Sequence, residues 1–562
     1  MSPEKTIATL DVSSLAYDEQ VCAAALQGLL NRSGPHVFLD YGFYDDPMAR
    51  RTNEIFMDDD FWYGKYRAML GNQDRNNLNY YTHEHGFNPH PVKDLDELVT
   101  VNLTAFKGYV VWDESQPDTT NLAVMLAGLE DLIAVSPAHE AWVKAFNLPK
   151  AHDLRGKWQD RVAIYTWAYE NLFPRCKKGM LACLEPGWER PEFLDYAVKN
   201  NIFIYSLSST FKGFGATTLL LLAFGPPWLR ELLFALRLDG ALKRLALFWM
   251  GRKSAEVRLS NCIQSAVEAL PYPTIFGWHT KRDDELTFML QLSSNGLRLV
   301  PSHLAGNFSF HSRVKPLDEF KTDILPEVKL DPQGTYVTFT LSDGDQLMMM
   351  NTAELGNWNS AARGSIPFNW ECQPLLSELA PALLERFSRT KTANDCLVAG
   401  PSGAGYVVPP LAARFADYMK STAQVCKKAG INVVTTYVAD PPRRVLRQLV
   451  KHKGDLLGFL SGYAIVSRAP QELVNGTPVF ANEIPQAANI WDTADQLLSR
   501  LEGLILSTNG TPRFIGVHLF AYRTSLDDVA AFIKKHDGEH LHFVRADEFL
   551  LLAQQHLNQS SK

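Results

Sequence analysis

No C-x-x-C pair occurs in the 562 residues, and the seven cysteines, Cys22, Cys176, Cys183, Cys262, Cys372, Cys396 and Cys426, are scattered and odd in number. That distribution argues against a zinc knuckle and against a dense disulfide framework. No uninterrupted apolar run reaches the roughly 18 residues that a membrane-crossing helix needs. No basic block with interleaved aromatics is present, and a net charge of -7 gives no global attraction to nucleic acid or to an anionic membrane, so neither is expected as a partner. A G-x-x-x-x-G-K-[ST] phosphate loop is also missing, and Gly213-Phe-Gly215 does not open a strand-turn-helix unit, so no nucleotide cofactor is expected. His83-Glu-His85 with His90 has ligand-like residues, but its Asn- and Pro-rich surroundings read as solvated loop, and no metal site is predicted. The segment Met1–Leu10 has no apolar core of a secretory signal, which sets the expectation of a cytoplasmic protein. Six N-x-S/T sequons, at Asn31, Asn102, Asn307, Asn475, Asn509 and Asn558, keep secretion open as the alternative.

What is present is α/β grammar. Ile7–Leu10, His36–Leu39, Tyr109–Trp112, Leu132–Val135 and Ile202–Tyr205 read as strands, with helices expected over Asp18–Asn31, Asn121–Leu129 and Trp158–Leu172, the last leading through Arg190–Asn200 into Ile202–Tyr205. Strand-helix-strand spacing of this kind implies parallel sheets with helices on their faces. From Asp331 onward the alternation becomes regular, with strands expected at Tyr336–Leu341, Cys396–Gly400, Asn432–Tyr437, Leu456–Leu460, Pro478–Ala481, Phe514–Phe520 and His542–Arg545. The fold class that follows is α/β and multidomain, with amino-terminal parallel-sheet lobes and a carboxy-terminal distorted (β/α) barrel. Residues 1–208 form the lobes, 259–325 complete the amino-terminal region, and 326–558 form the barrel-like domain. Residues 209–258 break the pattern: leucine-rich and basic sequence around Pro226-Pro227 reads as an insertion-like segment expected to pack poorly.

In a barrel of parallel strands the functional residues collect at the carboxy-terminal strand ends. Asp343, Asp345, Tyr406, Asp440, Tyr463, Glu483, His518, Tyr522 and Asp547 occupy such positions. Gly400–Pro409 is a strand that runs into a loop of three glycines and a closing proline, a design that holds Tyr406 at a defined place with Gly403 and Gly405 beside it. Ser342-Asp-Gly-Asp345 ends another strand in two carboxylates. They serve either as a functional pair or as an Asx-type turn that bonds nearby backbone. Trp358, Arg363 and Trp370 fall in a long Asn-, Gly- and Ser-rich segment, either as stacking and hydroxyl-binding groups for a ligand or as packing that fastens the loop.

Gly403-Ala-Gly-Tyr406 with Pro409 resembles the signature of the GxGYxYP family of putative glycoside hydrolases, with Val408 standing where the pattern has its second tyrosine. Ser342-Asp-Gly-Asp345, Arg363–Pro367 with Trp370, Asp153–Gly156, Phe193–Tyr196 with Asn200, and Gly277-Trp278 followed by Glu285 extend the resemblance over most of the chain. The resemblance implies a carbohydrate-directed enzyme. Glycoside cleavage needs one carboxyl to protonate the leaving oxygen and a second to attack or to activate water. Asp343, Asp345 and Glu483 are the candidates for these roles, with Tyr406, Gly403, Gly405, Trp358, Arg363, Trp370, Asp440 and His518 as candidates for holding a carbohydrate. A carbohydrate-binding protein without catalysis and a metal-assisted sugar deacetylase or lyase remain as alternatives.

Overall fold

Among the described residues, short apolar runs between helices build four separate sheets. The computed structural model describes residues 5–42, 73–187, 191, 193–209, 213–268, 271–302, 305–325, 327–342, 347, 357–438, 440–462, 471–488, 490–507, 512–521, 523–536 and 538–560. In the first sheet β1 (Lys5–Asp11) lies between β2 (Val37–Asp40) and β3 (Phe87–Pro91). In the second, β4 (Gly108–Val111) lies between β5 (Leu132–Val135) and β6 (Lys150–Asp153). The third comprises β7 (Met180–Cys183), β8 (Phe203–Tyr205), β9 (Thr274–Gly277) and β10 (Arg298–Pro301) in the order β10-β9-β7-β8. All three are parallel, so each pair needs a crossover, and the helices Tyr17–Leu30 and Thr119–Glu130 supply two of them. Helix starts carry side-chain caps: Asp94, Asp160, Ser254 and Asp284 each accept from the backbone N–H three residues on.

The carboxy-terminal sheet comprises β11 (Thr335–Leu341), β12 (Phe368–Cys372), β13 (Asp395–Ala399), β14 (Val433–Thr436), β15 (Gly458–Ser461), β16 (Gln471–Val474), β17 (Thr477–Ala481), β18 (Arg513–Leu519) and β19 (Leu541–Phe543). Its order is β16-β17-β15-β14-β13-β12-β11-β18, with β19 also against β11. Only β16 runs antiparallel, joined to β17 by Asn475-Gly476 at φ 49° and 77°, the positive pair that a tight hairpin demands. Past β17, Ile484 forms a parallel bridge to Val517 of β18, with Ile484 N–H donating to Gly516 O at 3.2 Å and His518 N–H to Ile484 O at 2.8 Å. The expected barrel is a curled half-barrel in which the residues just past β17 reach the edge strand β18 at one bridge among the described residues. Two of its strands, β12 and β16, were not among those expected from sequence.

Side chains alternate along each strand, so residues two apart share a face. On the concave face Tyr336, Val398, Val433, Leu460, Phe480 and Phe514 pack against Ala546, Phe549 and Leu550 of the helix Ala546–Ser560. That helix fills the lower half of the curl with apolar side chains.

The described part of 209–258 forms helices, and as expected its packing is incomplete: Phe214, Leu220, Trp228, Leu232, Leu236, Leu238, Leu245, Phe248 and Trp249 are all exposed. Phe214–Phe224, Pro227–Ala235 and Asp239–Lys253 bury Leu219, Leu222, Phe234 and Ala246, and Arg230 is 2% exposed. Among the described residues no single helix is long and apolar enough to cross a membrane; the first two of these helices meet at 98°. The helix Gln73–His85 takes up His83 and His85, which sequence reasoning had assigned to solvated loop. His85 is buried with its Nε2 3.1 Å from Glu385 Oε2, because the helix packs where the barrel-side helix Pro381–Thr390 supplies a carboxylate.

Candidate active site

Above the apolar layer, the concave face turns polar. Two residues beyond Thr338, Asn369, Val398, Val433, Phe480 and Gly516, the same face carries Thr340, Glu371, Gly400, Thr435, Asn482 and His518. All lie at the carboxy-terminal strand ends and all are buried. Glu371 and His518 have fully buried side chains, with His518 Nε2 3.1 Å from Glu371 Oε1. The Thr435 hydroxyl donates to the same oxygen. Gly400, between β12 and β14, leaves the space that Glu371 occupies: a Cβ there would collide with Thr435 Oγ1 and stand 2.7 Å from Glu371 Cδ. Glu371 Oε2 and both amide atoms of Asn482 are buried with no hydrogen-bond partner among the described residues. Leaving such an atom unsatisfied costs about 1–3 kcal/mol, so this layer calls for a water or a polar ligand to complete it.

Of the residues singled out from sequence, the described structure brings His518 to this layer. Asp343 and Asp345, with Tyr463 and Tyr522, lie outside the described residues; Ser342, just before Asp343, has its N–H on Leu519 O at 3.0 Å. Glu483 is exposed and accepts from Gln471 Nε2 at 3.0 Å, since the alternation that turns Asn482 inward turns its neighbour outward. Asp440, past β14, pairs with Arg230 at 2.6 Å. Asp547 pairs with Arg545 at 2.9 Å at the start of the carboxy-terminal helix.

Trp358, Arg363 and Trp370 gather with one another on the convex side, because Trp370 precedes Glu371 and faces away from it. The Trp370 indole N–H donates to Asp395 Oδ1 at 2.9 Å, and Arg363 pairs with Asp395 Oδ2 at 2.8 Å while its guanidinium stacks 4.5 Å from the Trp358 ring. Both tryptophans are buried, and Trp358 also meets Phe387 of the helix Pro381–Thr390. This knot fastens the segment after β11 to the outer helix layer.

Glu371 and Asn482 escaped the sequence reading. Their signal is a polar face within an otherwise aromatic strand: Asn369, Glu371 and Gln373 recur every second residue through Phe368-Asn-Trp-Glu-Cys-Gln373. Among the described residues no three His, Cys, Asp or Glu stand together in an arrangement able to hold a metal.

Residues 333–554 match the profile of the GxGYxYP putative glycoside hydrolase C-terminal domain, and residues 106–176 match that of the second domain of the GxGYxYP amino-terminal region. The chain belongs to the GxGYxYP family. A crystal structure of a putative hydrolase from Bacteroides thetaiotaomicron VPI-5482 shares the fold, with a TM-score of 0.72 over 99% of this chain and 95% of that one at 19% identity. No curated protein matches.

The GxGYxYP signature occupies the seam between the amino-terminal region and the half-barrel. Tyr406 adds to the edge of the third sheet, exchanging backbone hydrogen bonds with Leu299 of β10 at 2.7 and 3.0 Å. Its ring is 1% exposed and lies edge-on to Tyr437 at 5.1 Å, and its hydroxyl donates to Glu285 Oε1 at 2.8 Å. Gly405, at φ 90°, gives its N–H to Gln373 Oε1 at 3.1 Å and accepts from the Tyr418 hydroxyl at 2.7 Å. A side chain there would meet Arg298 Cδ at 2.8 Å, and Arg298 itself reaches Ala404 O at 3.1 Å. Val408, in place of the second tyrosine, is buried with its N–H on Ser293 Oγ at 2.9 Å. Through Gln373, two residues past Glu371, the signature touches the rim of the polar layer.

Proposed function

We propose that this protein is a glycoside hydrolase working at the concave polar layer, with Glu371 as one carboxyl and the Asp343/Asp345 pair as the source of the other. The observation that carries this reading is the buried Oε2 of Glu371, which has no partner among the described residues while Oε1 accepts from Thr435 and lies 3.1 Å from His518 Nε2. A carboxyl fixed on one side and open on the other is the arrangement needed to deliver or accept a proton at a glycosidic oxygen. Family membership supports carbohydrate as the substrate class. The strand β11 lies between β12, which carries Glu371, and β18, which carries His518, and the chain reaches Asp343 two residues after Leu341. Asn482, with both amide atoms unsatisfied, is a group for sugar hydroxyls.

The test is turnover of a panel of polysaccharides and aryl glycosides by the wild type and by Glu371→Gln, Asp343→Asn and Asp345→Asn. Glu371→Gln is expected to lower kcat by about 10²- to 10⁴-fold while the protein still folds. Full activity in Glu371→Gln defeats the assignment. Ligand binding by the wild type with no turnover of any substrate replaces the hydrolase by a carbohydrate-binding protein.

A further inference from the structure

We propose that the outer face of the helix Asp239–Lys253 is a docking surface for an anionic lipid membrane. At 3.6 residues per turn, Arg244, Leu245, Phe248, Trp249, Arg252 and Lys253 fall on one side of this helix, and all are exposed. Phe248 is 59% exposed, and the Arg252 guanidinium lies 5.5 Å over the Trp249 ring. The opposite side is anchored: Ala246 and Met250 are buried, Asp239 pairs with Arg444 at 3.2 Å, and Lys243 Nζ donates to Leu411 O at 3.2 Å. The apolar face is therefore held outward by the barrel domain. Beside it, a cavity of about 360 Å³ is lined by Phe214, Gly215, Leu245, Trp249, Met250 and Lys253, room for the end of an acyl chain with an ammonium at its edge.

The charges choose the partner. From residue 213 to 258 the exposed charges are Arg237, Arg244, Arg252, Lys253 and Arg258, all positive. The carboxylates in the same stretch are partly buried and engaged: Glu231 with the Arg443 N–H at 2.8 Å, Asp239 with Arg444, and Glu256 with Arg282 at 3.2 Å. A second copy of this face would set the same cationic patch against itself, and like-charge repulsion opposes that two-fold contact. Aromatic and leucine side chains ringed by cations are the composition that lies in the headgroup region of an acidic bilayer. The net charge of -7 does not oppose this, because salt screens the remaining carboxylates beyond about 10 Å while the patch meets the surface directly.

Full-length protein is mixed with vesicles of phosphatidylcholine alone and of phosphatidylcholine with phosphatidylserine, then sedimented. Binding is expected only with phosphatidylserine, weakening as salt rises. Each of Arg244→Ser, Arg252→Ser and Lys253→Ser is expected to lower the partition coefficient about fivefold. Phe248→Ser/Trp249→Ser is expected to abolish binding with melting unchanged, since both side chains are exposed. No sedimentation with phosphatidylserine vesicles overturns the proposal, as does binding that none of these substitutions alters. It is equally overturned if the apolar pair dissolves a dimer in solution and the wild type ignores vesicles.

Discussion

Gly400→Ala isolates the geometry on which the candidate site rests. The new methyl would stand 2.7 Å from Glu371 Cδ and press on Thr435 Oγ1, whereas carbon atoms in contact need about 3.5–4.0 Å. Neither neighbour can retreat easily: Glu371 and Thr435 come from the strands flanking β13, and both are at most 1% exposed. Overpacking of this kind costs about 1–3 kcal/mol, which for a domain the size of residues 333–554 lowers its melting temperature by about 2–4 °C per kcal/mol. Glu371 is also displaced from Thr435 and His518, so turnover should fall with stability. Calorimetry on the full chain gives the first quantity and the glycoside panel the second. Gly503→Ala is the control, because its Cβ meets nothing within 4 Å in the helix Ala494–Leu506 and should stabilise by about 0.5–1 kcal/mol. A Gly400→Ala protein that melts and turns over like the wild type, beside a stabilised Gly503→Ala, refutes the placement of Glu371 over Gly400.

Tyr406→Phe removes the hydroxyl held by Glu285 at 2.8 Å, and is expected to lower stability by about 1.5–3 kcal/mol with KM unchanged; a raised KM at wild-type stability would place Tyr406 on the substrate. Arg230→Met leaves Asp440 without its 2.6 Å partner, at a cost near the lower end of about 3–5 kcal/mol because Asp440 keeps 17% exposure, and limited proteolysis should then cut within 209–258; an unchanged digest shows that the segment is not anchored there. Burial pulls His311 down to about 3, with the Gly306 backbone contact working in the opposite direction. The unfolded chain, near the ordinary histidine value of about 6.5, therefore binds one more proton below that pH, and stability is lost by up to about 1.4 kcal/mol per pH unit as pH falls from 6.5 toward 3. An imidazole signal of His311 that titrates near 6.5 in the folded protein contradicts this.

The lobes and most barrel strands were legible because parallel strands buried on both faces read as plain apolar runs. Leu132–Val135 was expected as it stands, and the helix expected at Asp18–Asn31 is Tyr17–Leu30. In 209–258 the leucine content that suggested poor packing is divided, with Leu219 and Leu222 buried while Leu220, Leu232, Leu236, Leu238 and Leu245 face outward. The glycine-rich signature drew attention as a possible ligand loop, yet its positive-φ glycines permit a close backbone approach to Arg298 and Gln373 at a domain seam. A sequence shows that backbone must pass close to something; it does not show whether that something is a ligand or another part of the chain.

Of the two strands that went unseen, β12 carries Glu371, and the reason it escaped is physical. The lower concave face is plugged by Phe549 and Leu550, so strands there keep apolar side chains inward and announce themselves. The upper layer holds Glu371, Thr435, Asn482 and His518 inward, which removes the apolar alternation at the strand ends. β12 is short enough that its inward residues, Asn369 and Glu371, are both polar, leaving Phe368, Trp370 and Cys372 to look like scattered hydrophobics in a loop. In this half-barrel, polar residues at every second position between buried aromatics mark β12 better than its hydrophobicity does. Inverting the pair with Asn369→Val and Glu371→Val would make β12 easier to recognise as a strand while leaving the Asn369 contacts to Thr338 Oγ1 and Phe339 O unmade.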